Sequence, residues 1–281
     1  MRPWLAILCL CGASALTSPA RAQPEGPPAS QQPAAPSADR LTLTANGSTL
    51  SPADSGRGAS VGWLRHLSGE ALIGLGVEHQ SIADARWTFA SVSGAVSRAS
   101  NGGRKINFHG EVQRGSGDEA GRAFTYASTS VGITGAVTDR LSLRLESREI
   151  DIDRTHGNLP QLGLSFSWNT HFMTDVAYAR SVSGNLGTKL VLTRTDYYGE
   201  RFRLLFGAAF GEAAPSVVNL QPGLATPDGS SLRQVFVGVS KPLTRGELLA
   251  VVDHLELGGS ERTTLTISYA IPLRGETRSK R

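Results

Sequence analysis

The chain is 281 residues long, with 28 basic and 24 acidic side chains and a formal net charge of +4, enough for one large domain or two small ones. Both cysteines, Cys9 and Cys11, and the arginines Arg2 and Arg21 lie within the first 22 residues. The remainder is close to neutral and free of thiols, which excludes a disulfide framework, thiolate chemistry and the concentrated basic stripe of a nucleic-acid binder.

Taken in chain order, residues 1–22 come first. Arg2, a brief apolar run over 4–16 and the small residues Ala20 and Ala22 form the pattern of a cleavable secretory signal peptide. The run is too short to span a membrane as a helix. Leu8 and Leu10 precede the two cysteines, where lipid attachment needs a small residue. Residues 23–40, QPEGPPASQQPAAPSADR, are proline-rich without an aromatic or β-branched residue, so an extended, disordered linker is expected. After residue 22 no apolar stretch reaches eighteen residues. Spanning helices are excluded by this, and spanning strands are not.

From residue 41 the texture becomes uniform: short segments rich in Val, Leu, Thr, Ser and Gly, separated by Gly, Asp, Asn, Ser and Pro. Strands are predicted over about 41–48, 59–66, 71–80, 88–98, 106–114, 124–137, 141–152, 162–168, 172–181, 186–196, 202–211, 232–241, 247–257 and 263–273. The first two carry the weakest signal, so the predicted number is about 12–14. Tight turns are read at 67–71, 138–140, 169–171 and 242–246, and longer loops at 51–58, 115–123, 153–161 and 212–231. Short turns at one end, long loops at the other and an even strand number predict an all-β, closed antiparallel transmembrane β-barrel of up-and-down meander type. The barrel is expected over 41–273, followed by a polar tail over 274–281, with the protein in the outer membrane of a Gram-negative envelope.

Alternation then assigns the faces. Leu141, Leu143 and Leu145 oppose Ser142, Arg144 and Glu146; Phe202, Leu204, Phe206 and Phe210 oppose Arg203, Leu205, Gly207 and Gly211. Ile106, Phe108 and Val112 oppose Asn107, His109, Glu111 and Gln113. The apolar face is expected to meet lipid and the small or charged face a lumen, which makes Arg144, Glu146, Arg203, His109 and Glu111 candidate lumen residues. A soluble sandwich would alternate in the same way with its apolar face inward. The number of strands without a disulfide and the many small residues on the polar face favour the barrel. Trp63, Trp87, Trp168, Phe172, Tyr197 and Tyr198 lie near strand ends and suit two interfacial girdles. One strand breaks the rule. After Leu145 the apolar positions become Ile150 and Ile152, which predicts a bulge near Ser147 or a strand end standing above the membrane.

Soluble-enzyme signatures are absent, no cofactor is expected, and the six histidines are dispersed without a pair at metal-ligand spacing. His79 and Ser81 share the lipid-side parity of Ile73, Leu75 and Val77. The pair resembles the His-x-Ser of outer-membrane phospholipase A, in which the histidine is a general base, the serine attacks a lipid ester and a polar residue on the next strand orients the imidazole. Ile82 and Ala83 stand where that family continues with Asn-Gly. The expected reading is a histidine and a serine at the polar end of a strand, without enzymatic activity.

Three further pieces, DRLSLRLESREID, LGLSFSW and GTKLVLTRTDYYGERFRLLFGAAFGEAAPSVV, with their Tyr-Tyr-Gly turn between long strands, resemble the YaiO-type outer-membrane β-barrel family. That resemblance implies a barrel similar to the porin portion of exopolysaccharide exporters and a part in surface-glycan export, as a channel or an accessory. Implied partners are outer-membrane lipid, the barrel-assembly machinery (with Tyr269, Ile271 and Leu273 in the last strand) and surface polysaccharide. A closed structural barrel that binds through its outer loops, chiefly 212–231, is the second class of function, and the lipid hydrolase the third.

Overall fold

The computed structural model describes residues 39–51, 54–67, 70–82, 85–99, 105–119, 121–152, 155–213, 230–258 and 260–273. The signal segment, the linker up to residue 38 and the tail lie outside the described residues. Fourteen long antiparallel strands follow one another: β1 (Arg40–Ser51), β2 (Asp54–His66), β3 (Ala71–Ile82), β4 (Ala85–Ala99), β5 (Lys105–Glu119), β6 (Arg122–Ala136) and β7 (Leu141–Ile152). The second half comprises β8 (Thr155–Ser167), β9 (Phe172–Arg180), β10 (Lys189–Tyr198), β11 (Arg203–Ala213), β12 (Ser230–Leu243), β13 (Gly246–Leu257) and β14 (Ser260–Pro272). Each predicted strand has its counterpart, including the two with the weakest signal.

Every strand pairs with its sequence neighbours, and β1 closes on β14 from Arg40 opposite Pro272 to Ser51 opposite Glu261. The result is a closed 14-stranded meander, with no free edge among the described residues. Arg40, placed in the linker by composition, is the first residue of the wall. Local turn chemistry supports the chain reversals at the end where β1 begins and β14 finishes. Asn169 Oδ1 accepts from the backbone N–H of His171 and Phe172 at 2.8 and 2.9 Å, and Thr138 Oγ1 accepts from that of Leu141 at 3.0 Å. We call this end the inner mouth. The opposite end carries the longest connection, between Ala213 and Ser230, and is the outer mouth.

The apolar face points outward over the middle of the wall. Leu43, Val61, Val77, Val92, Phe108, Ile133, Leu145, Leu164, Val176, Phe206, Val237, Val252 and Ile267 are all exposed. Inward stand buried Asn107, Ser130, Ser142, Asp175, Asp196, Gln234, Asp253 and Ser268. This polarity is the reverse of a soluble core and suits a wall bathed in hydrocarbon. Arginine at Val237, directly opposite Phe206 and 56% exposed, is expected to cost about 2–4 kcal/mol near the bilayer midplane. Denaturant unfolding of the barrel refolded into vesicles checks this, with an inward substitution at Ser142 as the contrast.

Three expectations are corrected. The stretches 51–58, 115–123 and 153–161 are not long loops. β1 and β2 come within two residues of each other, as do β5 and β6, and β7 and β8. Their Gly, Ser and Asp residues mimic loop composition because these strand ends rise past the apolar belt, where neither lipid nor alternation is imposed. Of the 212–231 segment, residues 214–229 lie outside the described residues. Strand β7 has no bulge, since its register with β6 and β8 runs unbroken and Ser142, Arg144, Glu146, Arg148, Ile150 and Ile152 share one inward face. Trp87 and Tyr198 do not join a girdle: Trp87 points inward and is 2% exposed, and Tyr198 shares the inward parity of Asp196 and lies opposite Arg203. Trp168 and Phe172 do face outward near the inner mouth, with Phe172 against Tyr197 at 4.9 Å and Trp168 edge-on to Phe166.

Candidate functional site

The lumen has two layers. Nearer the inner mouth it is charged and hydroxylic. On β5 and β7, His109 Nε2 stands 3.6 Å from Glu146 Oε2, and Arg148 reaches Glu146 at 3.5 Å and Glu111 at 4.0 Å. Gly132 lies on β6 between the two strands, opposite both His109 and Glu146, and any Cβ there would meet the His109 ring at 2.4 Å. The missing side chain is what lets the imidazole lie across the wall to its partner. Arg144 lies over Gly163 of β8 in the same manner. Four of the sequence-predicted lumen residues, His109, Glu111, Arg144 and Glu146, therefore share one side of the barrel.

Arg203, the fifth, belongs to a second cluster across the lumen. Asp196 on β10 takes Arg203 at 3.0 Å and Arg194 at 3.1 Å, and the Arg203 guanidinium sits 4.9 Å from the Tyr198 ring centre. Nearby, Arg40 pairs with Glu247 at 2.8 Å and Ser240 donates to the same carboxylate. A third set stands nearer the outer mouth, level with Leu50 and Leu255: Gln234 donates to Asp253, which also faces the charge of buried Arg262. The collar is thus built from opposite charges held by specific partners, which a low-dielectric wall requires.

Nearer the outer mouth apolar side chains predominate, interrupted by buried Gln80 opposite Trp87 and Arg262 between Leu50 and Leu255, which the strand-by-strand reading of polarity did not anticipate. Leu50, Ile82, Trp87, Phe89, Phe124, Tyr126, Ile150, Ile152, Leu186, Leu232, Leu255 and Leu257 form one buried cluster drawn from both halves of the barrel. Phe89 and Tyr126 pack at 4.8 Å between ring centres. Leu186 is contributed by the segment between β9 and β10, outside any long strand. Its neighbours Ser183 and Gly184 pair with Asn158 and Gly157 of β8, and Asn185 N–H donates to the His156 carbonyl at 2.9 Å while its side-chain Oδ1 accepts from His156 N–H. β8–β9 pairing stops at Gln161 opposite Ala179, one residue after Pro160, so this segment completes the wall. Parity marks the change: at the outer ends Glu149 and Asp151 face out while Ile150 and Ile152 face in, as in a strand end standing above the membrane and not in a bulge.

His79 and Ser81 lie on the outer surface, His79 exposed and Ser81 half-buried. His79 Nδ1 meets Thr88 Oγ1 of β4 at 2.9 Å. His254 and Thr263 repeat the pairing at 3.0 Å on β13 and β14, with Glu256 in the place corresponding to Ser81. A His–Thr contact is therefore a recurring feature of this wall.

Such a barrel, with an apolar belt on its outer face and an inward collar of paired charges, has the fold of an outer-membrane β-barrel. No family model and no curated protein matches the chain. Among solved structures it is similar to the Pseudomonas putida toluene transporter TodX, with a TM-score of 0.58 and 10% identity over 97% of this chain and 99% of that one. It is also similar to the CymD monoaromatic hydrocarbon channel, at 0.58 and 10% over 85% and 89% of the two chains. The Acinetobacter baumannii outer membrane protein Omp33 gives 0.52 and 7% over 83% and 99%. At these identities the likeness is one of fold.

Proposed function

We propose that the barrel is a non-enzymatic passage across the outer membrane for small, largely apolar solutes, which enter through the aromatic and aliphatic belt of the outer mouth. One observation carries this reading: Trp87, Phe89, Phe124, Tyr126, Ile150 and Ile152 give β4, β6 and β7 an apolar inward face, with Gln80 at its margin, where a conduit for salts or sugars would be polar throughout. Similar barrels described as hydrocarbon channels and a toluene transporter support the same solute class. In the belt a monoaromatic ring would exchange water for Phe89 and Tyr126, and the charged collar below would bar it from lingering.

The test is quenching of tryptophan fluorescence by a monoaromatic probe such as toluene in refolded protein, followed by uptake in cells. A saturable change that disappears in Trp87→Phe, with uptake lowered severalfold by Phe89→Asp, is expected. A linear, unsaturable response identical in the two variants would sink the proposal. The surface-glycan reading has its own support in the hydroxylic collar, where Ser130, Ser142, Thr266 and Ser268 are buried inward. It requires that a soluble oligosaccharide, and not toluene, block whatever conductance the barrel has.

A further inference from the structure

We propose that the outer surface of β2–β5 around His79 is a binding site for the phosphate of a lipid headgroup in the outer leaflet. The proposal rests on the barrel's orientation and is independent of what crosses the lumen. Cross-strand register gives four successive outward rows. Trp63, Leu75, Val92 and Val112 form the first, and Val61, Val77, Ala90 and Arg114 the second. Ala59, His79, Thr88 and Ser116 make the third; Arg57, Ser81, Arg86 and Asp118 make the fourth. Hydrocarbon-facing side chains therefore give way to arginine, histidine and hydroxyls within two rows.

The rows are not level. Register climbs toward the outer mouth by roughly one residue per strand around the ring, so each row rises by about 3 Å per strand at the tilt usual for barrels. That slant brings Arg57 of β2, His79 of β3, Thr88 of β4 and Arg114 of β5 to nearly one height, with Ser81 and Arg86 next above. Three guanidinium groups thus border a patch holding an imidazole and two hydroxyls, at the upper edge of the apolar belt where headgroup phosphates lie.

Arg57, Arg86 and Arg114 are exposed, and their guanidinium groups make no hydrogen bond or ion pair among the described residues. Asp118 lies opposite Arg86 without closing a salt bridge. Arginine's planar fork matches phosphate oxygens in pairs, and the valines below offer acyl chains a continuous wall. Thr88 holds the His79 ring through Nδ1 and leaves Nε2 for a ligand. The matching His254–Thr263 pair supplies an internal contrast. There His254 stands 3.9 Å from Glu256, and Glu261 lies directly opposite Glu256, so the carboxylates would repel a phosphate.

Full-length protein purified in detergent is to be titrated with bis-phosphorylated lipid A, with the same lipid after phosphatase treatment, and with phosphatidylcholine, bound lipid being counted by native mass spectrometry. At least tenfold preference for the phosphorylated lipid A over both others is expected. It should be lost in Arg57→Gln/Arg86→Gln/Arg114→Gln and kept in His254→Ala. Equal binding of phosphorylated and phosphatase-treated lipid by the unaltered protein would overturn the site whether or not the triple variant folds. So would full displacement by millimolar inorganic phosphate without any lipid preference, or release of fatty acid abolished by Ser81→Ala, which would make the patch catalytic.

Discussion

Valine at Gly157 will open the outer mouth. Leu186 rests against Gly157, and a Cβ added there would meet the Ser183 carbonyl oxygen at 2.3 Å and Leu186 Cγ at 2.9 Å. Backbone stands in the way, so the inserted side chain cannot be accommodated by a rotamer change. The segment carrying Leu186 must lift from β8, breaking the short pairing of Ser183 and Gly184 with Asn158 and Gly157. Fourteen long strands hold the rest of the wall, and the closure between β8 and β9 from Gln161 to Ser167 is untouched. The variant should therefore fold. Leu186 is fully buried in the belt, so its removal takes out a member that no neighbouring strand can replace. An apolar constriction stops ions by refusing them a hydrated path, and widening it by one leucine admits water. Planar-bilayer conductance is expected to rise severalfold over the unaltered protein, and Trp87→Ala in the same background to raise it again. Conductance equal to that of the unaltered barrel would mean that the current, if any, is limited by the charged collar below.

The same belt explains which parts of the protein were legible in its sequence. Hydrocarbon enforces strict alternation, so strands such as Leu141–Leu145 and Phe202–Phe210 declare both their existence and their faces. Above the bilayer the outside meets water and headgroups, and the inside is free to be apolar. Parity then inverts with no break in the backbone: Glu149 and Asp151 turn out while Ile150 and Ile152 turn in, and Glu256 turns out between Leu255 and Leu257. Assigning every apolar residue to lipid puts a bulge at Ser147 and Trp87 in a girdle, whereas the other reading of that parity change, a strand end standing above the membrane, needs no bulge and no girdle position. Neither exists, because the environment changed and the strand did not. Loop length failed for a related reason, since Gly- and Ser-rich strand ends carry no hydrophobic signal to mark them as strands. Polar parity did identify His109, Glu111, Arg144, Glu146 and Arg203 as inward. It could not pair them, because His109 reaches Glu146 only across the gap that Gly132 leaves on an intervening strand.

Asp196 is where the collar should prove most sensitive to a single change. Its carboxylate is fully buried and serves two arginines, Arg194 on its own strand and Arg203 across the β10–β11 hairpin. Asparagine there keeps the shape but leaves two cations facing each other in a wall that hydrates them poorly. Loss of one partner from a buried ion pair costs about 3–5 kcal/mol, and the partly wet guanidinium groups bring the expected figure to the lower end of that range. The midpoint of denaturant unfolding for Asp196→Asn should fall accordingly. Selectivity supplies the second readout, since the substitution adds one positive charge to the lumen. In the opened Gly157→Val background, the reversal potential under a salt gradient is expected to move toward anion preference. Adding Arg194→Gln to Asp196→Asn removes the surplus cation and should recover much of both the stability and the selectivity. Recovery from that pair, with none from an outward arginine such as Arg233, separates a local charge balance from a general gain of positive charge. An unfolding midpoint unmoved by Asp196→Asn would mean that both arginines already reach water or other acceptors, and that the collar is held by its wall and not by its ions.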